Sequence, residues 1–147
     1  MLTGFLPGTG QRYIGEGIRR LKKIYFIDDQ VRTGEFWVMK CRNSQWFSGA
    51  IHFLSPMDFE NFLDKGNSLE PGSYVVTDRK GPGFDTSEGF VSAIREKIPQ
   101  FDGKFILVSS SFDPGKCPIV EGFDGVFCKR EALSRIEEMA KKESCDE

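Results

Sequence analysis

The sequence predicts a parallel three-layer α/β domain. Short apolar runs recur roughly every 25 residues, at 23–28, 50–54, 73–78, 104–110 and 125–129. They are rich in Val, Ile and Phe and are often apolar at successive positions, the pattern of strands buried on both faces. Segments of helical period lie between most of them, and a βαβα alternation with right-handed crossovers covers both faces of one sheet with helices. Polar residues close the runs. Asp28 and Asp29 follow Lys23–Ile27, Asp78 follows Ser73–Thr77, Ser109 follows Lys104–Val108, and Lys129 follows Gly125–Cys128. In an open parallel sheet, side chains at the carboxyl ends of strands converge on one crevice.

Residues 1–22 hold five glycines and one proline with weak periodicity, and are expected to be a basic arm, partly disordered or draped on the surface. Gly8-Thr9-Gly10 is not read as a phosphate loop, because no strand is expected before it and no Gly-Lys-Ser/Thr follows. Residues 31–43 are a less regular helix candidate, since Phe36-Trp37-Val38-Met39 reads as a run. After Ser55, Phe59, Phe62 and Leu63 fall on one helical face. Ser55 suits the N-cap and Pro56 the first helical position. After Asp85, the residues Phe90, Val91, Ile94 and Ile98 share a face, and Asp85 with Glu88 is spaced like a variant capping box. Leu133, Ile136 and Ala140 form the last apolar stripe, with Lys141 and Lys142 favourable at a helix C-terminus. Pro114, Gly115, Pro118 and Gly122 predict a loop or single irregular turn over 112–123, where a regular helix would lose hydrogen bonds and clash. The expected division is the arm at 1–22, the α/β domain at 23–142 and a tail at 143–147.

At 147 residues the chain has the size of one domain, and 39% hydrophobic with 29% charged content is ordinary for a globular protein. A net charge near −2 gives no bulk case for nucleic-acid binding. The charge is uneven: residues 1–23 carry Arg12, Arg19, Arg20, Lys22 and Lys23 against Glu16 alone. A solvated basic arm explains this more simply than an acidic partner does. Cys41, Cys117, Cys128 and Cys145 show no C-x-x-C spacing, and His52 is the only histidine, so a zinc site is not expected. Reduced thiols and a cytoplasmic location are the simple reading. No apolar run is long enough for a bilayer, and the N-terminus lacks the apolar core of a signal peptide. His52 is expected to make a local hydrogen bond from a strand, and Trp37 and Trp46 to pack rather than to stack on bases.

Three carboxylates, a hydroxyl and an ammonium in one crevice make a site for a divalent cation and a phosphoryl group. Acids brought together repel one another unless a cation is present. Mg²⁺ takes octahedral oxygen ligands and keeps several waters, so one or two of these carboxylates suffice to bind it. A carboxylate can attack phosphorus to form an acyl phosphate, a transfer that needs mainly positioning and charge neutralisation.

Ile24-Tyr25-Phe26-Ile27-Asp28-Asp29-Gln30 resembles the first strand and acidic pair of the receiver (CheY-like) domains of two-component response regulators. Asp78-Arg79-Lys80-Gly81-Pro82-Gly83-Phe84-Asp85-Thr86 resembles their D-x-x-x-P-G-x-D-G pattern, with Thr86 for the last glycine. Leu107-Val108-Ser109-Ser110 resembles the end of their fourth strand, and Gly122–Lys129 the fifth-strand approach to their lysine. The match covers about residues 23–142. The resemblance implies a flavodoxin-like five-stranded sheet in the order 2-1-3-4-5. It implies that Asp78 is the phosphoacceptor, that Asp29 binds Mg²⁺ directly with help from Asp28, and that Asp78 and the Lys80 carbonyl complete the protein ligands. Ser109, Lys129 and the Ser110 N–H would contact the phosphoryl group. Lys80 and Ser111 fall at positions that tune dephosphorylation in that family.

The chain departs from the family at further places, among them Arg79 beside the acceptor, which is uncommon there. Arg130 stands where a proline usually follows the lysine, so a trans link is expected. Val126 takes the place of the switch aromatic, with Phe127 one residue later on the opposite face. The family's fourth helix falls on 112–123, where it is expected to be shortened or replaced by a loop.

The resemblance implies a single-domain response regulator or phosphorelay protein that promotes its own phosphoryl transfer and has no separate enzymatic activity. Its expected partners are a sensor histidine kinase or phosphotransfer protein and a downstream protein target. Direct nucleic-acid contact, membrane insertion and a following output domain are not expected. The alternative is a pseudo-receiver, an interaction module on the same fold that does not use phosphate. A phosphohydrolase of haloacid-dehalogenase type fits less well, because its first strand carries D-x-D rather than adjacent acids.

Overall fold

A computed structural model describes residues 3–6, 11–14, 17–78, 87–110, 113, 115 and 119–146. Strands β1 (Thr3–Leu6), β2 (Gln11–Ile14) and β3 (Gly17–Arg20) pair antiparallel in that order. This small sheet replaces the irregular arm expected there. Four-residue strands close their ladders with backbone groups alone and need no apolar run of core length.

The main sheet begins at β4 (Lys22–Ile27). It is followed by α1 (Val31–Asn43), β5 (Phe47–Phe53), α2 (Pro56–Asp64), β6 (Tyr74–Asp78) and α3 (Ser87–Lys97). The chain then forms β7 (Lys104–Ser109), β8 (Gly125–Cys128) and α4 (Ala132–Asp146). All five strands run parallel in the order β5-β4-β6-β7-β8, the flavodoxin-like 2-1-3-4-5 arrangement. None of the described residues between Ser109 and Gly125 is helical, in keeping with the proline-broken segment read from the sequence. The Lys129–Arg130 link is trans, as are all described peptide bonds.

Alternation along the strands divides the core into two layers. Ile24, Phe26, Tyr74, Val76, Ile106 and Val108 pack against Trp37 and Cys41 of α1 and against Ala132, Ile136 and Ala140 of α4. Tyr25, Ile27, Val75 and Phe105 pack against Phe59 and Leu63 of α2 and Val91 and Ile94 of α3. Each large side chain buried here contributes about 2 kcal/mol by leaving water. The Trp37 and Phe26 rings stack at 4.1 Å between centroids, and Trp46 is buried, so both tryptophans pack as expected. The Ser55 hydroxyl caps α2 by accepting from the Asp58 N–H at 3.1 Å. Asp85 lies outside the described residues.

Helix α4 runs on through Asp146, where the sequence suggested a tail from 143. Its last turns are tied to the sheet at Glu143. That carboxylate accepts from the Tyr74 hydroxyl at 2.7 Å and lies 3.4 and 3.7 Å from the ammonium groups of Lys22 and Lys104.

The close approach of α1 to β5 depends on Gly34, since a Cβ there would overlap the His52 ring. Gly34→Ala is expected to cost about 1–3 kcal/mol through overpacking. An unchanged urea midpoint would show that the ring moves aside freely.

Candidate functional site

The parallel register carries Asp28, Asp78, Ser109 and Lys129 to one end of the sheet. Asp28 follows β4, and its N–H donates to the Phe53 carbonyl at 3.0 Å. Asp78 ends β6 beside Val108, and Ser109 ends β7 beside Cys128. The Lys129 N–H donates to the Ser109 carbonyl at 3.0 Å, which extends the β7–β8 ladder by one residue. Asp28 and Ser109 are wholly buried, Asp78 is 5% exposed and Asp29 faces solvent.

Asp28, Asp29 and Asp78 each offer a carboxylate oxygen within 4.8 Å of the others. The Lys129 ammonium enters this group, 2.7 Å from Asp28 Oδ2 and 2.9 Å from Asp78 Oδ2. It donates a hydrogen bond to Asp78. Asp28 Oδ1 accepts from the Gln30 N–H at 2.8 Å. Among the described residues, none gives Asp28 Oδ2 a well-directed hydrogen bond, so its short contact with Lys129 is chiefly ionic.

Burial pushes the Asp28 carboxyl above the ordinary carboxylate range. The Lys129 contact and the Gln30 N–H oppose the rise, and the Asp78 charge adds to it. For Lys129, burial acts downward, but the short contact with Asp28, the hydrogen bond to Asp78 and the charges on both outweigh it and raise the ammonium. Among the described residues, one ammonium stands against three carboxylates, and one buried carboxylate oxygen lacks a directed donor. That donor set fits a hard divalent cation such as Mg²⁺.

Thus Asp28, Asp29, Asp78 and Lys129 meet, with Ser109 at the adjoining strand end. Ser110 occupies the turn after β7 and is exposed. Lys80 and Ser111 lie outside the described residues. Val126 is buried on the α2–α3 face, in register with Leu107. Phe127 is half-buried against the α1–α4 core, which puts these two side chains on opposite faces as the alternation implied.

His52 hydrogen-bonds inside this site: its Nε2 lies 2.7 Å from the Asp28 backbone carbonyl. The sequence suggested a local bond but not this acceptor. The available signal was a lone polar ring near the end of a strand neighbouring the one that carries the acidic pair.

Cys41 and Cys128 are free, buried thiols. Burial first, then the nearby Glu137 charge, pushes Cys41 up to about 12. Since the thiolate is the reactive species, Cys41 is expected to resist iodoacetamide at mildly alkaline pH until the protein is unfolded. Rapid native alkylation, located by peptide mass, would contradict this environment.

The chain has the fold of response-regulator receiver domains. It is similar to the response regulator receiver protein from Dyadobacter fermentans, with 16% identity and a TM-score of 0.60, over 82% of this chain and 96% of that one. It is likewise similar to a CheY-like receiver domain protein from Methanospirillum hungatei, at 14% identity and a TM-score of 0.60, over 86% and 99%. A chain in the structure of the phosphorylated P1 domain of CheA3 in complex with CheY6 from R. sphaeroides matches at 11% identity and a TM-score of 0.56, over 82% and 97%. No family model and no curated protein matches the sequence.

Proposed function

We propose that this chain is a receiver module that takes a phosphoryl group onto Asp78 from a phosphohistidine donor and signals through protein contact. The observation that carries this reading is the Lys129 ammonium held between Asp28 and Asp78, with a third carboxylate at the mouth. The donor class is suggested by the phosphorylated P1 domain that accompanies CheY6 in the R. sphaeroides complex.

In the proposed transfer, an Asp78 carboxylate oxygen bonds to phosphorus as the phosphorus–nitrogen bond of the donor breaks. The electron pair leaves with the imidazole. Ser109, Lys129 and the Ser110 N–H donate to the phosphoryl oxygens. Asp28, Asp29, Asp78 and the Lys80 carbonyl would hold Mg²⁺, which supplies charge neutralisation when bound. The added charge on Asp78 would then bias a pre-existing equilibrium of the surface seen by a downstream protein.

The test is intact-protein mass after incubation with acetyl phosphate. One phosphoryl group is expected with Mg²⁺ and none with excess chelator. A folded protein that stays at its unmodified mass in both favours a second reading, a receiver-like interaction module that does not use phosphate. The observations on its side are the absence of a helix among the described residues between β7 and β8, and aliphatic Val126 in β8.

A further inference from the structure

We propose that His52 is a positioning residue for the acidic site, setting its cation affinity through the peptide plane between Asp28 and Asp29. This role rests on the cation-binding part of the proposed function.

The two acids sit just past the end of β4, where ladder bonds run out. The Asp28 N–H is still held by the Phe53 carbonyl. Continued parallel pairing would bring the Ser55 N–H to the Asp28 carbonyl. However, β5 ends at Phe53, and Ser55 is already the N-cap of α2. The His52 imidazole takes that carbonyl instead, at 2.7 Å. A carbonyl only accepts, so Nε2 carries the proton.

The ring has little freedom to do otherwise. It packs against Gly34 of α1, where no Cβ fits, and lies 5.8 Å from the Phe26 ring, centroid to centroid. Both backbone polar groups of Asp28 are therefore tied to β5, one by main chain and one by side chain. The Asp28 carbonyl belongs to the amide that carries Asp29. Fixing it fixes where the exposed Asp29 carboxylate stands relative to buried Asp28 and Asp78. A ligand group held in place beforehand loses less freedom when a cation binds.

Side-chain reach gives a sharp test. The Nε2 of glutamine lies as many bonds from Cβ as the Nε2 of histidine, whereas the amide of asparagine stops one bond short. Mn²⁺ binding, read by electron paramagnetic resonance of the free ion, is expected to weaken ten-fold or more in His52→Asn. It should stay within about two-fold of the parent in His52→Gln, with cooperative urea unfolding in both. Unchanged affinity in the Asn variant, or equal loss in both, overturns the positioning role. Failure of the parent protein to bind Mn²⁺ overturns the cation reading itself, and this role with it. Nitrogen-15 spectra of the parent protein need no variant, and His52 is the only histidine. They are expected to show the Nε2–H tautomer, and an Nδ1–H tautomer would refute the contact.

Discussion

Asp78→Asn is expected to gain no phosphoryl mass from acetyl phosphate under conditions that fully label the parent protein. The carboxamide keeps the size and planarity of the side chain, but its oxygen is not an anionic nucleophile and forms no stable acyl phosphate. The fold should tolerate the change. Lys129 keeps its 2.7 Å contact with Asp28, and the β6 ladder uses backbone groups only. Loss of labelling with an unchanged urea transition would therefore be chemical in origin. Among the described residues, Asp28 and Asp29 are the other carboxylates in reach, and they serve here as internal controls. Transfer of the label to either in the variant would show that the crevice phosphorylates any available carboxylate. Persistent labelling at the parent rate would remove Asp78 from the role altogether.

What the sequence made legible, and what it hid, follows from the range of each interaction. Buried parallel strands write themselves as local apolar runs, so the five strands of the main sheet and the polar residues at their ends could be located without coordinates. Pro114 and Pro118 likewise announce where a helix cannot continue. The strands Thr3–Leu6, Gln11–Ile14 and Gly17–Arg20 left no such trace, because short antiparallel ladders need neither an apolar run nor a helical period. Contacts between distant positions were equally silent. Glu143 sits near the C-terminus, and nothing around it signals that Tyr74, Lys22 and Lys104 hold it. The same is true of the His52 bond to the Asp28 carbonyl, which takes the place of a main-chain donor because β5 stops two residues short of Ser55. Residue types named the chemistry of the crevice, but only the register shows Lys129 lodged between two of its acids.

That lodged ammonium leads to the second large effect. Lys129→Ala is expected to cost about 3 kcal/mol of stability at neutral pH without divalent cations, because it leaves a buried carboxylate without its counter-charge. Asp28 is wholly buried, while the Lys129 side chain is only 17% exposed, so water can replace little of the lost contact. The loss should shrink in mild acid. The Asp28 carboxyl already lies above its ordinary value in the parent, and removing Lys129 removes the strongest opposing pull. In the variant the folded state therefore binds more protons than the unfolded one between the ordinary carboxylate range and the raised Asp28 value. Stability then falls as pH rises through that window and is recovered as pH drops below it. Mg²⁺ should also narrow the gap, since a cation bound only to the folded state stabilises it by mass action and replaces the missing positive charge. Urea unfolding of both proteins, at neutral and mildly acid pH and with or without Mg²⁺, separates these terms. A variant as stable as the parent at neutral pH without the cation would mean that Asp28 is neutral in the folded protein. Lys129 would then pair with Asp78 alone, and the crevice would hold one fewer charge for a cation.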